Sequence, residues 1–156
     1  MIKFSAESKD PASFAVFAPI NKNITIIGGG QAAAYAAKEI RSIDGNVNIS
    51  IFGDEIYFPY ERPPLSKDCL LEKKNYDQCL FFPINYYEEN NIDYHYNEKI
   101  DKIDFETKKL ISLNNQTYSY DKLLITTGSK NRKLNNDIIS KEISDNIIYL
   151  RNIEDS

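Results

Sequence analysis

A chain of 156 residues is long enough to form one ordinary domain with a buried core. Its 19 Lys and Arg residues against 23 Asp and Glu residues give a formal net charge of -4, which argues against a general nucleic-acid-binding protein, since such a protein needs a basic face. We expect no membrane span, because no apolar run is long enough to cross a bilayer, and the single histidine, His95, argues against a histidine metal site.

The first 23 residues have no clear targeting signal. They lack the basic region and the long apolar core of a secretory signal, and they contain Glu7 and Asp10 but no arginine, unlike a mitochondrial transit peptide. We interpret residues 1–23 as an N-terminal tail, and we expect a cytoplasmic or mitochondrial protein, not a secreted one.

The two cysteines do not form a recognisable motif. Nine residues separate Cys69 from Cys79, which matches neither a C-x-x-C redox pair nor a pair of zinc ligands. Two cysteines are also too few for a disulfide framework. We therefore interpret both as inert thiols in a reducing compartment.

The ordered chain begins with a strand, a helix and a second strand. A β-branched run over residues 24–27 stops at three glycines and predicts a buried strand. The alanine-rich residues 31–43 predict a helix that ends at Asp44-Gly45, and residues 47–52 predict the second strand. This order is a βαβ unit. One face of the predicted helix carries the small or apolar residues Ala33, Ala36, Ala37 and Ile40, which would let it lie close to a sheet.

The turn between the first strand and the helix fits the pattern G-x-G-x-x-G/A. Gly28 allows a tight turn, Gly30 allows the backbone to approach a pyrophosphate, and Ala33 allows the helix to pack closely. The helix N-terminus offers free N–H groups and a positive dipole end to phosphate. Asp54 follows Ala33 by 21 positions, where an acid that binds a ribose hydroxyl is expected. The alternative is a glycine turn that serves packing alone.

The stretch YERPPLSKD, residues 60–68, is stiffened by Pro63 and Pro64 and predicts a rigid, extended, charged bend. It leaves the carboxyl end of the second strand, the edge at which open parallel sheets bind ligands. Arg62 and Lys67 could there stabilise a pyrophosphate, and Lys67 could stabilise negative charge on a redox ring. The alternative is a solvated surface loop.

The rest of the chain predicts a short helix over residues 84–89, a strand, and then a small β-meander ending near residue 128. Asn114-Asn115 is a hairpin turn signal within that meander. We interpret most of residues 100–117 as scaffold.

These motifs together resemble the N-terminal part of flavin-dependent reductases of the ferredoxin-reductase type, within the pyridine nucleotide-disulfide oxidoreductase superfamily, and most of all apoptosis-inducing factor. The string RPPLSK is the most specific feature. YDKLLITTGS, residues 120–129, is similar to the Y-D-x-L-x-x-A-T-G strand of that family, with Thr126 where alanine is usual, and YLRNIEDS, residues 149–156, is similar to its L-R-x-x-x-D segment. The resemblance covers residues 24–156.

The resemblance implies an α/β fold of the Rossmann-like FAD/NAD(P)-binding type, built from a βαβ unit, a parallel sheet and a β-meander layer, here incomplete. It implies FAD as the cofactor, hydride transfer from NAD(P)H to FAD, and then electron transfer to an acceptor that is a protein or a small molecule. Lys67 is the catalytic candidate. The positions that match cofactor contacts in the family are Gly28, Gly29, Gly30, Gln31, Ala32, Asp54, Glu55, Arg62, Lys67, Ile100, Thr127, Gly128 and Arg151.

The chain also departs from this family, because Gly28-Gly29-Gly30 is the only Gly-rich turn in its sequence. Gly45, Gly53 and Gly128 stand apart from one another, so we expect the nicotinamide-binding and C-terminal domains to be absent. Three interpretations stay open: the flavin half of an oxidoreductase, a dinucleotide-binding module without turnover, and a degenerate structural or interaction protein. NAD(P)H and an acceptor would be used only with a second polypeptide, and the exposed sheet could make the chain oligomeric.

Overall fold

A computed structural model describes residues 22–134, 143 and 146–156 of the chain. The tail expected over residues 1–23 lies outside the described residues, apart from its last two positions. Asn23 already belongs to the first strand, so the ordered fold begins one residue earlier than expected.

The main layer is a parallel sheet of four strands in the order β3-β2-β1-β7. Its strands are β1 (Asn23–Ile27), β2 (Asn48–Phe52), β3 (Ile92–His95) and β7 (Lys122–Ile125), and every neighbouring pair runs parallel. Two helices connect the first three strands: α1 (Gln31–Ile43) and α2 (Asn85–Glu89). The expected α/β fold with a parallel sheet of Rossmann-like character is confirmed.

Helix α1 covers one face of this sheet through small side chains. Ala33 and Ala37 are fully buried, and so are Ile26 and Ile51 on the strands beneath them. Ala34 is also buried, which extends the contact face beyond the four residues expected from helical spacing. Small side chains bring the helix backbone close to the sheet, and this places the start of α1 directly over the end of β1.

The other face of the sheet carries an antiparallel meander of three strands, β4 (Ile100–Asp104), β5 (Lys109–Ser112) and β6 (Thr117–Ser119). Leu110 of the meander is buried against a second core cluster that includes Ile27 and Phe52. The expected hairpin turn at Asn114-Asn115 is present between β5 and β6, and Asn115 has a φ of 59°. The meander therefore packs against the last residues of β1 and β2 on the face of the sheet opposite α1.

The end of α1 differs from the expectation that Gly45 stops the helix. Asp44 is the C-terminal cap, with an extended backbone (φ -139°), and Gly45 does not adopt a positive φ. The Arg41 side chain ties the end of the helix to the segments around it: it donates to the carbonyl oxygen of Gly45 at 2.7 Å and to that of Asn90 at 2.8 Å. A side chain that reaches a distant loop gives no local signal in the sequence.

The proline stretch also differs from the extended bend that we expected. Pro63–Ser66 form a short 3₁₀ helix, with the two prolines at its first positions, where a missing N–H costs nothing. Leu65 of this turn is buried in a third cluster together with Tyr60 and the two cysteines, and Leu150 and Ile153 pack against it. The segment is therefore a packed turn that joins the C-terminal part of the chain, and not a solvated loop.

Candidate functional site

A cavity of about 360 Å³ opens at the carboxyl ends of β1, β2 and β7. Gly28 follows β1, Asp54 lies two residues beyond β2, and Thr126 follows β7. This edge is where open parallel sheets bind their ligands. The lining residues are Ile27, Gly28, Gly29, Gly30, Gln31, Ala32, Phe52, Asp54, Glu55, Arg62, Lys99, Ile100, Thr126, Thr127, Gly128, Ser129, Lys130 and Arg151.

The cavity brings together the residues that sequence analysis proposed as cofactor contacts, with one exception. Lys67 does not line the cavity; it is exposed, and its backbone N–H closes the proline turn by donating to Pro64 O at 2.9 Å. Its expected place beside a redox ring stays a prediction. The other twelve positions come from segments that are far apart in the chain. The strands end at the same edge of the sheet and so bring these residues to one cavity.

The three glycines after β1 are there for different physical reasons. Gly28 has a φ of 116°, and a Cβ on it would collide with the backbone carbonyl of Thr126. A Cβ on Gly29 would collide with the hydroxyl of Tyr94. A Cβ on Gly30 would meet no atom of the described residues within 4 Å, although Gly30 lines the cavity. Packing therefore accounts for the first two glycines but not for the third.

The N-terminus of α1 is free to bind an anion. Gly30 is its N-cap and supplies no side-chain hydrogen bond, and the first turn contains no acidic residue. The first N–H groups of a helix have no partners within the helix, and its dipole places partial positive charge there. Because Gln31 and Ala32 line the cavity, these donors are next to its space. A phosphate or pyrophosphate is the ligand that this arrangement suits.

The two acids after β2 have different environments. Asp54 is exposed at the cavity, and within the described residues its carboxylate forms no ion pair. Glu55 is occupied: it pairs with the guanidinium of Arg62 and accepts a hydrogen bond of 2.6 Å from the hydroxyl of Tyr60. Asp54 is therefore the acid that can accept from a ligand hydroxyl, whereas Glu55 holds the cavity wall.

Arg62 connects three segments of that wall. Besides Glu55, its guanidinium donates to the carbonyl oxygen of Arg151 at 2.6 Å and to the hydroxyl of Tyr60 at 3.3 Å. Burial, and then the hydrogen bond to Glu55, raise the pKa of Tyr60 above its ordinary value, so the phenol stays protonated and donates to Glu55. The hydroxyl of Tyr60 also accepts from the N–H of Ile153 at 3.0 Å.

The C-terminal segment is held in a defined turn beside the cavity. Asp155 accepts hydrogen bonds from the backbone N–H groups of Arg151 and Asn152 at 2.8 and 2.9 Å, and this forms a capping box with Asn152. A Cβ on Gly128, which has a φ of 68°, would come within 3.1 Å of Arg151 Nη2. The glycine therefore leaves room for the arginine at the mouth of the cavity.

Sequence analysis missed several lining residues, among them the cations Lys99 and Lys130 and the aromatic Phe52. Phe52 is the last residue of β2 and Lys99 directly precedes β4, whereas Lys130 lies two residues beyond Gly128. A search of the residues around strand ends and predicted site residues would have found all three. A second cavity of about 340 Å³ shares Asp54, Arg62 and other lining residues with the first.

Thr126 stands where the family usually has alanine. Its hydroxyl donates to Ile27 O at 2.9 Å, so this polar group has a hydrogen-bond partner.

The described residues contain no helix that is long and apolar enough to cross a membrane. They also contain no group of three or more His, Cys, Asp and Glu side chains that could hold a metal ion. The cavity is lined by backbone N–H donors and by basic side chains, which suit an anionic organic ligand.

Comparisons with known proteins agree on one family. A family model described as pyridine nucleotide-disulphide oxidoreductase matches residues 22–156. The peroxisomal monodehydroascorbate reductase 2 of Oryza sativa subsp. japonica is 35% identical over 143 residues, covering 84% of this chain and 30% of that protein.

Two solved structures have the same fold. A covalent putidaredoxin reductase–putidaredoxin complex matches with a TM-score of 0.78 and 28% identity, and a ferredoxin reductase from Rhodopseudomonas palustris matches with a TM-score of 0.75 and 28% identity. Each match covers 86% of this chain and 32% of the solved chain. This chain thus spans about a third of the length of these proteins.

The glycine turn yields a prediction about stability in the absence of any ligand. We expect Gly28→Ala to lower the free energy of unfolding by about 1–3 kcal/mol, because the new Cβ would be strained at positive φ and would overlap the Thr126 carbonyl. Gly30→Ala should change it by less than about 0.5 kcal/mol, since its Cβ enters open space. Urea denaturation of both variants measures the difference. Equal destabilisation would mean that Gly30 is also a packing residue.

Proposed function

Because the chain belongs to the pyridine nucleotide-disulphide oxidoreductase family, we propose that it is the FAD-binding part of an NAD(P)H-dependent flavoprotein oxidoreductase. FAD is the cofactor of this family. The observation that carries the proposal is the N-terminus of α1, which lies at the cavity and has no side-chain cap. Its N-cap residue is Gly30, and packing does not explain the glycine there, because a Cβ would meet no atom of the described residues.

The cavity residues have the chemistry to hold each polar part of the cofactor. The backbone of the β1–α1 turn would bind the pyrophosphate, and Arg62 and Arg151 would add positive charge. Asp54 would accept from a ribose hydroxyl, and the backbone of Ile100 would meet the adenine. The remaining proposed contacts are Gly28, Gly29, Gly30, Gln31, Ala32, Thr127 and Gly128. Glu55 would lie near the ribose and support the contacts by holding Arg62.

Bound FAD would supply the redox chemistry, accepting a hydride from NAD(P)H and passing electrons to the acceptor. The residues of this chain bind and orient it and hold cations near its charges. Lys67 is proposed to stabilise negative charge during reduction, although it lies outside the cavity lining. Because these 156 residues contain one glycine-rich turn, we place the nicotinamide-binding groups in another polypeptide segment.

Within the family, we propose a relative of the ferredoxin reductases and of apoptosis-inducing factor. The strings RPPLSK and YDKLLITTGS support this assignment, and the fold shared with a ferredoxin reductase supports it further. The similar putidaredoxin reductase was solved joined to putidaredoxin, which makes a protein acceptor a reasonable choice to test first.

A second candidate is a dinucleotide-binding module without turnover. It is favoured by the single glycine-rich turn of the sequence. A degenerate structural or interaction protein is a third candidate, and it requires that the cavity bind no nucleotide.

The identity of the cofactor is tested first. We expect heat-denatured protein to release FAD, detected by mass spectrometry of the supernatant, because the cavity offers phosphate donors together with two arginines. If apoprotein is isolated, FAD and NAD are titrated in parallel, and FAD should bind more tightly. Release or tighter binding of NAD favours the second candidate, and binding of neither favours the third.

The role of the glycine turn is tested next. We expect Gly30→Val to abolish FAD binding while the fold is retained, because its side chain would fill the space that the pyrophosphate needs. Asp54→Ala should weaken binding by about 1–3 kcal/mol, the usual loss for a hydrogen bond to a charged group. Fluorescence quenching of FAD measures both, and Gly45→Val is the matched control because Gly45 is also unhindered but lies away from the cavity. Wild-type affinity in Gly30→Val would contradict the proposed pyrophosphate site.

Turnover is the third test. Hydride transfer requires the nicotinamide held within about 3–3.5 Å of its acceptor, and the groups that would hold it are proposed to lie outside this chain. We therefore expect FAD-loaded protein to react with NADH no faster than free FAD does. Anaerobic stopped-flow absorbance of the flavin gives the rate. Faster bleaching would reveal a donor site within these 156 residues.

A further inference from the structure

Cys69 and Cys79 are in direct contact, although nine residues separate them in the sequence. Their sulfur atoms are 3.4 Å apart in the cluster that packs beneath the proline turn. Both cysteines are free and buried: Cys69 exposes 9% of its surface and Cys79 exposes none. We interpreted both as inert thiols from the sequence, which did not predict this contact.

The backbone around each thiol is fixed, so the contact is not a chance meeting of mobile side chains. The N–H of Cys69 donates to Pro64 O at 3.1 Å within the proline turn. The carbonyl oxygen of Cys79 accepts from Glu61 N at 2.8 Å, and an isolated antiparallel bridge pairs Tyr60 with Leu80 next to it. The two segments are thus held side by side before any bond joins the sulfur atoms.

We propose that Cys69 and Cys79 are a reversible oxidation site, at which a hydroperoxide converts the two thiols into an intramolecular disulfide. The sulfur atoms need to move closer by little more than an ångström, because a disulfide bond is about 2.05 Å long. Neither cysteine lines the cavity. The disulfide would therefore link two segments behind the cavity wall and take no part in electron transfer to a bound ligand.

With hydrogen peroxide the reaction has two steps. The sulfur of Cys69, the more exposed of the two, attacks one oxygen, and the O–O bond breaks to give a sulfenic acid and one water molecule. The sulfur of Cys79 then attacks the sulfur of Cys69, forming the S–S bond and releasing the hydroxyl group as a second water molecule. The two thiols lose two electrons and two protons, and the peroxide gains them.

Burial raises the pKa of the Cys79 thiol, and the neighbouring Cys69 thiol raises it further. The thiolate is the attacking form, so formation of the disulfide should be slow near neutral pH and faster as the pH rises. The crosslink would tie residue 69 to residue 79 and so brace the turn that follows Arg62. An oxidised chain should therefore unfold at a higher temperature than a reduced one.

The chain carries a convenient test, because Lys73 and Lys74 lie between the two cysteines. Reduced wild-type protein is treated with dilute hydrogen peroxide, blocked with iodoacetamide in denaturant and digested with trypsin. We expect fragment 68–73 joined to fragment 75–99, with a mass about 2 Da below the sum of the two, and separated by a reductant. In glutathione buffers of graded composition, the folded protein should form this pair at about a tenfold lower ratio of oxidised to reduced glutathione than protein unfolded in guanidinium, since the fold holds the two thiols together.

Matched variants separate the two steps. In Cys79→Ser the sulfenic acid at Cys69 has no partner, so dimedone should label Cys69 strongly there and only weakly in wild type. Recovery of both cysteines as separate alkylated or sulfonic-acid fragments from wild type would overturn the proposal. So would disulfides between chains in place of the internal one, or formation of the internal pair at the same glutathione ratio in folded and unfolded protein.

Discussion

The guanidinium of Arg62 is the interaction on which the cavity wall depends. It joins the acid after β2, the hydroxyl of Tyr60 and the backbone of Arg151, which is 89 residues further along the chain. The side chains of Arg62 and Glu55 are 28% and 24% exposed, so the pair is partly withdrawn from water. Loss of one member of such a pair leaves the other charge without compensation, which costs more than the loss of a surface ion pair.

The proline turn makes sense as the support of that guanidinium. Proline restricts the unfolded chain, so placing Arg62 just before Pro63 and Pro64 reduces the entropy lost when the turn forms. The hydroxyl of Ser156 donates to Leu65 O at 2.8 Å, and Ile153 donates to Tyr60. The C-terminal segment is thereby packed on the turn. Arg62 and Arg151 reach one cavity because these two distant segments are packed together.

Local patterns predicted the elements of this fold well. The bounds of α1 follow from an alanine-rich helical pattern between three glycines and Asp44, and β1 and β2 follow from short β-branched runs. The features that the sequence did not reveal all depend on tertiary contacts. Arg41 of α1 donates to the carbonyl oxygen of Asn90, and the contact of Cys69 with Cys79 exists only because the chain folds back.

The residues of the candidate site were also predicted where local motifs indicate them and missed where they do not. Residues on recognisable motifs line the cavity, except for Lys67, whereas Lys99 and Lys130, which belong to no motif, were missed. Glu55 was expected to meet a ribose, but its carboxylate is occupied by Arg62 and Tyr60. A sequence motif indicates which residues come near a ligand, and the structure is needed to separate those that are free to bind from those that hold others in place.

The glycine motif itself combines two kinds of constraint that its sequence cannot distinguish. Gly28 is required by its positive φ and by the carbonyl of Thr126, and Gly29 is required by Tyr94, whose hydroxyl is fixed by donating to Tyr57 O at 3.0 Å. Gly30 has an ordinary φ of -101° and free space beside it, so neither constraint applies. Glycine is a favourable residue at a helix N-cap, so Gly30 costs the fold little, but a larger side chain there would enter the cavity. A turn that served packing alone would need two of these glycines, and the third keeps open the space that a bound phosphate would use.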